Sequence, residues 1–185
     1  MFDRSLRRFA VTACCVATLL TGCGSPSQPN LPSTSELSNS SASPSSPDDL
    51  AREAERVFRR IDAIHNSHVF AGIYEPFPEE LVQLTTDPYL SLSRDKYREN
   101  AAKKIVLKNV DAGFYELKRF SGELEHNAAV VLEGCADFTK VETYQDGQFM
   151  GYGGISHEKY FFRSEGGKLK LFGISSKPVT SCSLA

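Results

Sequence analysis

VVLEGCADFTK, residues 130–140, reads as a strand with two unlike faces. Side chains alternate along a strand. Val131, Glu133, Cys135 and Asp137 therefore share one face, while Val130, Leu132, Gly134, Ala136 and Phe138 share the other. The second face is the apolar one. If it lines an interior, Glu133 and Asp137 point outward as surface carboxylates. Further strands surround it: KIVLKNV, GFYELKRF, KVETYQD, GQFMGYG, SHEKYFFRSE and KLKLFGISS are short alternating or β-branched runs separated by turn residues. That pattern predicts a meandering antiparallel sheet. Asp146-Gly147 and Gly166-Gly167 are the strongest hairpin signals, because these residue types accept the positive φ of two-residue turns.

Upstream, the apolar period changes from two to that of a helix. Ser46-Pro47-Asp48-Asp49 offers an N-cap, a proline at the first helical position and acids in the first turn. Leu50, Ala54, Val57, Phe58, Ile61 and Ile64 then recur at helical spacing, which predicts an amphipathic helix over roughly 47–66. A short second helix is expected from Glu79 to Thr85. A third follows Asp87-Pro88 and runs to about Lys103, with Tyr89, Leu92, Tyr97 and Ala101 loosely periodic. Within it KYRENAAKK, residues 96–104, mixes charge signs and reads as a solvated face. Helices followed by strands define an α+β domain over residues 48–185, with N-terminal helices packed on one face of a curved antiparallel sheet. Such a sheet can form a cone with an apolar pocket between sheet and helices.

The chain before this domain has a different character. Arg4, Arg7 and Arg8 precede a short, almost uncharged apolar stretch from Phe9 to Leu20, the layout of a secretory signal over residues 1–22. The stretch falls short of the roughly 20 apolar residues that span a bilayer. Leu20-Thr21-Gly22-Cys23 resembles the lipobox of bacterial lipoproteins, which implies acylation of Cys23, with palmitate-type chains, and cleavage before it. The competing account is an ordinary signal with a chance cysteine. One acyl chain binds a membrane only marginally, whereas two or three hold stably. Residues 23–47 follow as a tether: positions 24–47 contain ten serines, five prolines and one charge. Such a segment cannot bury enough apolar surface to offset its chain entropy. The expected location is the extracytoplasmic face of the cell membrane. Loss of three arginines and one aspartate with the signal takes the formal charge from −2 to −4. A weakly acidic chain with interspersed signs argues against nucleic acid as a partner.

Export also bears on the cysteines. Of five, Cys14 and Cys15 leave with the signal and Cys23 is taken by lipid, so Cys135 and Cys182 remain. An oxidising compartment and an even number favour a Cys135–Cys182 disulfide. The alternatives are two inert thiols, a catalytic thiolate, which needs an adjacent base, and a metal site, which needs two more ligands.

No other constellation defines a reactive centre, and no catalytic, cofactor or metal residue is assigned. His65 and His68 are spaced i, i+3 and in principle share a metal, but no third ligand can be named, and histidines suit the negative end of a helix dipole. Ser156-His157-Glu158 has the residue types of a triad, yet strand neighbours point to opposite faces. GYGGIS, residues 151–156, lacks a following helix and a phosphate-binding lysine, and reads as a loop or bulge. Tyr160, Phe161 and Phe162 are expected to fill the core on one face and cover surface on the other. An enzyme acting next to a carbonyl would need a carboxylate inside an apolar pocket, faced by an acid such as Tyr or Asp. Glu116 and Glu158 are the weak candidates for that carboxylate.

The order of one long helix, shorter helices and a curved antiparallel sheet resembles the NTF2-like fold of nuclear transport factor 2, ketosteroid isomerase and the polyketide cyclases. The Ser/Pro-rich leader, VVLEGCADFTKVETYQDGQ and a final VTSC resemble, more narrowly, uncharacterised NTF2-like lipoproteins of Actinobacteria. That resemblance implies a cone-shaped domain that binds a small apolar ligand or an envelope protein partner without catalysis. A pocket enzyme of the isomerase or polyketide cyclase type is the alternative. No catalytic motif of those enzymes is matched, and fold alone does not license an activity.

Overall fold

The computed structural model describes residues 46–184. The signal over 1–22, lipidation at Cys23 and all but the end of the tether lie outside the described residues. No described helix is long and apolar enough to cross a membrane.

Helix α1 spans Pro47–Ala71. Ser46 caps it, its hydroxyl accepting from the Asp49 amide at 3.1 Å, and Pro47 stands where no intrahelical donor is needed. Asp48 and Asp49 complement the positive end of the helix dipole. The helix runs past the expected 66 because the inward stripe continues through Val69, and it stops at Gly72, whose φ of 65° is left-handed. Ala54, Phe58, Ile61 and Ile64 form the buried stripe. Burying a Phe or Ile side chain contributes about 1.5–3 kcal/mol, so three such residues in one stripe fix which way the helix faces. Helices α2 (Glu79–Leu84) and α3 (Tyr89–Lys103) follow.

Seven strands come next: β1 (Ile105–Lys108), β2 (Phe114–Arg119), β3 (Val130–Asp137), β4 (Glu142–Gln145), β5 (Gln148–Tyr152), β6 (Ile155–Glu165) and β7 (Lys168–Val179). All named pairs are antiparallel. The domain is α+β, but the strands form two sheets rather than one, in the orders β1-β4-β5 and β2-β3-β6-β7. The division falls where Phe138–Val141 turns the chain away from the end of β3 and into β4, so β4 takes β1 as its partner. Both expected hairpins occur. Asp146 and Gly147 have φ of 49° and 80°, and Gly166 and Gly167 have φ of 59° and 75°, the paired positive values of a tight hairpin turn.

The main core lies between α1 and one face of the larger sheet. Val130 and Leu132 of β3, Tyr160 and Phe162 of β6 and Leu169 and Leu171 of β7 meet Phe58 and Ile61 of α1 there. Alternation along β3 places Val131 and Cys135 on the other face. That face is not simply solvated: Phe161 is buried with Val131, Ala128 and Phe172, against Phe120. The segment between β2 and β3 folds over this face, with Lys159 above the Phe120 ring at 4.1 Å and the His126 ring 5.3 Å from that of Phe161.

Cys135 and Cys182 form a disulfide, with Cα atoms 5.7 Å apart across 47 residues of sequence. The bond sits on the outer face of β3 and fixes the chain end beyond β7. The amide of Leu184 donates to Glu116 at 3.2 Å, a second tie for the same tail.

Candidate functional site

Between α1, α3 and the two sheets lies a cavity of about 710 Å³. Phe58, Ile61 and Val69 of α1, Leu107 of β1, and Phe138 and Val141 give it apolar walls. Gly153 and Gly154 join β5 to β6 at its edge. A methyl group on Gly153 would lie 2.6 Å from Cβ and 2.7 Å from the carbonyl oxygen of Phe138. The glycine lets the two segments touch and sets the position of the Phe138 wall. GYGGIS is thus a strand end and a connecting turn at the cavity.

Polar groups converge within these walls. Asp62, one turn after Phe58 and on the same stripe of α1, accepts from the Asn66 amide at 3.1 Å and bonds to the Tyr115 hydroxyl. Burial raises its carboxyl above the usual range, opposed by the Tyr115 bond and Arg59 and assisted by Glu158. On β6, Glu158 accepts from Tyr160, from Ser156 at 2.7 Å and from Ser176 of β7 at 3.2 Å. Ser156, Glu158 and Tyr160 share a face by strand alternation, which makes this local network possible. Burial, with the charges of Asp62 and Glu158 nearby, raises the Tyr115 and Tyr160 phenols well above their ordinary value. Both therefore remain protonated hydrogen-bond donors.

His65 forms another part of the lining. Its Nδ1 lies 3.2 Å from the Tyr97 hydroxyl and its Nε2 3.4 Å from that of Tyr89. Burial, with His68 nearby, lowers its pKa to about 4, so the ring is neutral at pH 7. His68 instead uses Nδ1 toward the carbonyl of Ile73, at 3.0 Å. The two histidines identified as a possible metal pair thus serve different partners.

No family model and no curated protein matches the chain.

Of the two carboxylates named from sequence, Glu158 lines the cavity and Glu116 does not; Glu116 holds the C-terminal tail. Glu133 sits on the outer face and hydrogen-bonds His157 Nε2 at 2.8 Å. Asp137 accepts from the Thr139 amide and hydroxyl at 2.9 and 2.6 Å, closing a turn at the end of β3. Ser156-His157-Glu158 divides between faces, with His157 outside and the other two inside. Sequence reasoning missed Asp62. The available signal was an acid at helical spacing from Phe58 and His65, on a stripe that is otherwise apolar.

An apolar cleft with a few convergent polar groups is the usual form of a small-molecule site. This one can hold an apolar body in its walls and offer oriented phenols and carboxyls to a polar group.

Proposed function

We propose that residues 48–185 form an extracytoplasmic NTF2-like domain that binds a small, mostly apolar ligand, tethered to the membrane through lipid on Cys23. The cavity of about 710 Å³ carries this reading, since its volume suits a drug-sized molecule. Its concave, mostly apolar lining with a few convergent polar groups favours a small ligand over an envelope protein. The element order of one long helix, two shorter ones and antiparallel strands supports the NTF2-like assignment. The anchor reading rests on Leu20-Thr21-Gly22-Cys23 behind an apolar stretch. Binding is tested with N-phenyl-1-naphthylamine, a neutral dye that brightens in apolar surroundings. Saturable 1:1 enhancement by the full chain, lost in Gly154→Trp, is the expected result. Gly154 is chosen because a Cβ there meets no atom within 4 Å, so an indole has room to enter the cavity. Enhancement that does not saturate, or that survives this substitution unchanged, would exclude the cavity as the binding place.

A second reading is a pocket enzyme that moves a proton next to a carbonyl. The favouring observation is Asp62, a carboxyl raised by burial and bonded to a phenol inside the cavity. Turnover of a β,γ-unsaturated ketone that disappears in Asp62→Asn would establish it; the non-catalytic reading requires no turnover above buffer.

A further inference from the structure

The geometry points to an organic cation as the occupant of the cavity: a protonated amine on a compact apolar body. This inference rests on the cavity being a ligand site, and it specifies the chemistry of the ligand. Two carboxyls, Asp62 on α1 and Glu158 on β6, line the same cavity. Among the described residues, neither is ion-paired to a lysine or arginine. Arg59, the cation that acts on Asp62, lies on the outer side of α1 and gives its Nε and Nη2 to Glu55 at 2.9 and 2.6 Å. Lys96 of α3 is the only lysine or arginine among the described residues lining the cavity, and its ammonium is 3.2 Å from Glu99 on an exposed face. His65 is neutral. The remaining titratable groups are the phenols of Tyr89 and Tyr97 on α3, Tyr115 on β2 and Tyr160 on β6, which stay protonated.

Glu158 is among the causes that raise Asp62, and both act on Tyr89, Tyr115 and Tyr160. An ammonium in the cavity would offset the effect of Glu158 on Asp62 and form charge-assisted hydrogen bonds, while the electron-rich faces of the surrounding phenol rings attract a cation. A carboxylate ligand would add a negative charge beside two carboxyls. A neutral ligand would leave the effect of Glu158 on Asp62 in place. Apolar walls accept the body of the molecule, so small hydrophilic cations are not favoured.

Three adamantanes with one skeleton and different head groups test the inference: 1-aminoadamantane, 1-adamantanol and 1-adamantanecarboxylate. Each is titrated calorimetrically at pH 7 into the full chain in phosphatidylcholine nanodiscs, with empty nanodiscs as blank. The amine is expected to bind at least about tenfold more tightly than the alcohol, the ratio that one charge-assisted hydrogen bond supports, and the carboxylate more weakly than either. In the double variant Asp62→Asn, Glu158→Gln, the preference for amine over alcohol should fall to near one while alcohol binding persists. Alcohol or carboxylate binding as tight as the amine in the native chain would overturn the cationic assignment and leave the cavity as a ligand site. No binding by any of the three would overturn both. The native-chain series decides the matter even where the double variant does not fold.

Discussion

Gly134 makes room for the floor of the cavity. A methyl group there would lie 2.8 Å from Cε2 of Tyr160 and 3.2 Å from Cδ2 of Leu117. Tyr160 is tied to Glu158 and fully enclosed, so its ring has little freedom to retreat. Gly134→Ala is expected to lower stability by about 1–3 kcal/mol, the usual cost of overpacking; an unchanged urea midpoint would show that the ring shifts freely. His65 gives a second prediction at this scale, with a definite sign. The folded chain holds it at a pKa of about 4 against the ordinary 6.5. Between these values the unfolded chain binds the proton and the folded chain does not, so stability falls as pH falls through the window. The loss approaches about 3 kcal/mol at the lower end. In His65→Gln this contribution should vanish, which urea titrations at pH 7 and pH 4.5 read as a smaller difference between the two pH values. Asp62 escaped sequence reasoning for a related reason: an acid on an apolar helix stripe is legible only once the stripe is known to face a cavity.

At the scale of elements, period and turn chemistry carried most of the information. Pro47 opens α1 as expected, its end at Gly72 lies beyond the expected 66, and both glycine-containing hairpin turns adopt the positive φ that their residue types favour. The split into two sheets was not legible, because strand partners are chosen by long-range packing. β4 pairs with β1, whose nearest residues lie more than 30 positions away, and no local pattern encodes that choice. Nor was the burial of Phe161, which depends on Phe120 and Ala128 arriving from a neighbouring segment. The disulfide belongs to this scale as well, since it joins β3 to the tail after β7. Closing 47 residues contributes about 4 kcal/mol in the chain-entropy account. Cys135→Ala with Cys182→Ala should lose up to that amount, measured by urea unfolding under non-reducing conditions. A variant equal in stability to the oxidised native chain would mean that the tail adds nothing to the fold.

For the whole molecule, the proposed tether and the proposed binding site can be tested separately. Cys23→Ser should move the protein from the membrane fraction to the soluble one, and unchanged fractionation would count against the lipid anchor. Dye binding should be unaffected, because the cavity is built from Phe58 onward, three turns into α1. The walls of that cavity differ in how firmly they are held. Glu158 and Tyr160 sit on β6, which is laddered on both sides, and Tyr115 on the edge strand β2, whereas α3 buries only Ser93, Tyr97 and Asn100. Tyr97 meets Tyr74 and Phe77 edge-on at 5.7 and 4.9 Å, and Tyr97 and Tyr89 reach His65 of α1, so the helix wall is held by a few aromatic contacts. Local opening energies follow such differences in packing. Amide hydrogens of α3 should therefore exchange well before those of β3, so the two walls of one cavity would part company in time long before the sheet itself comes apart.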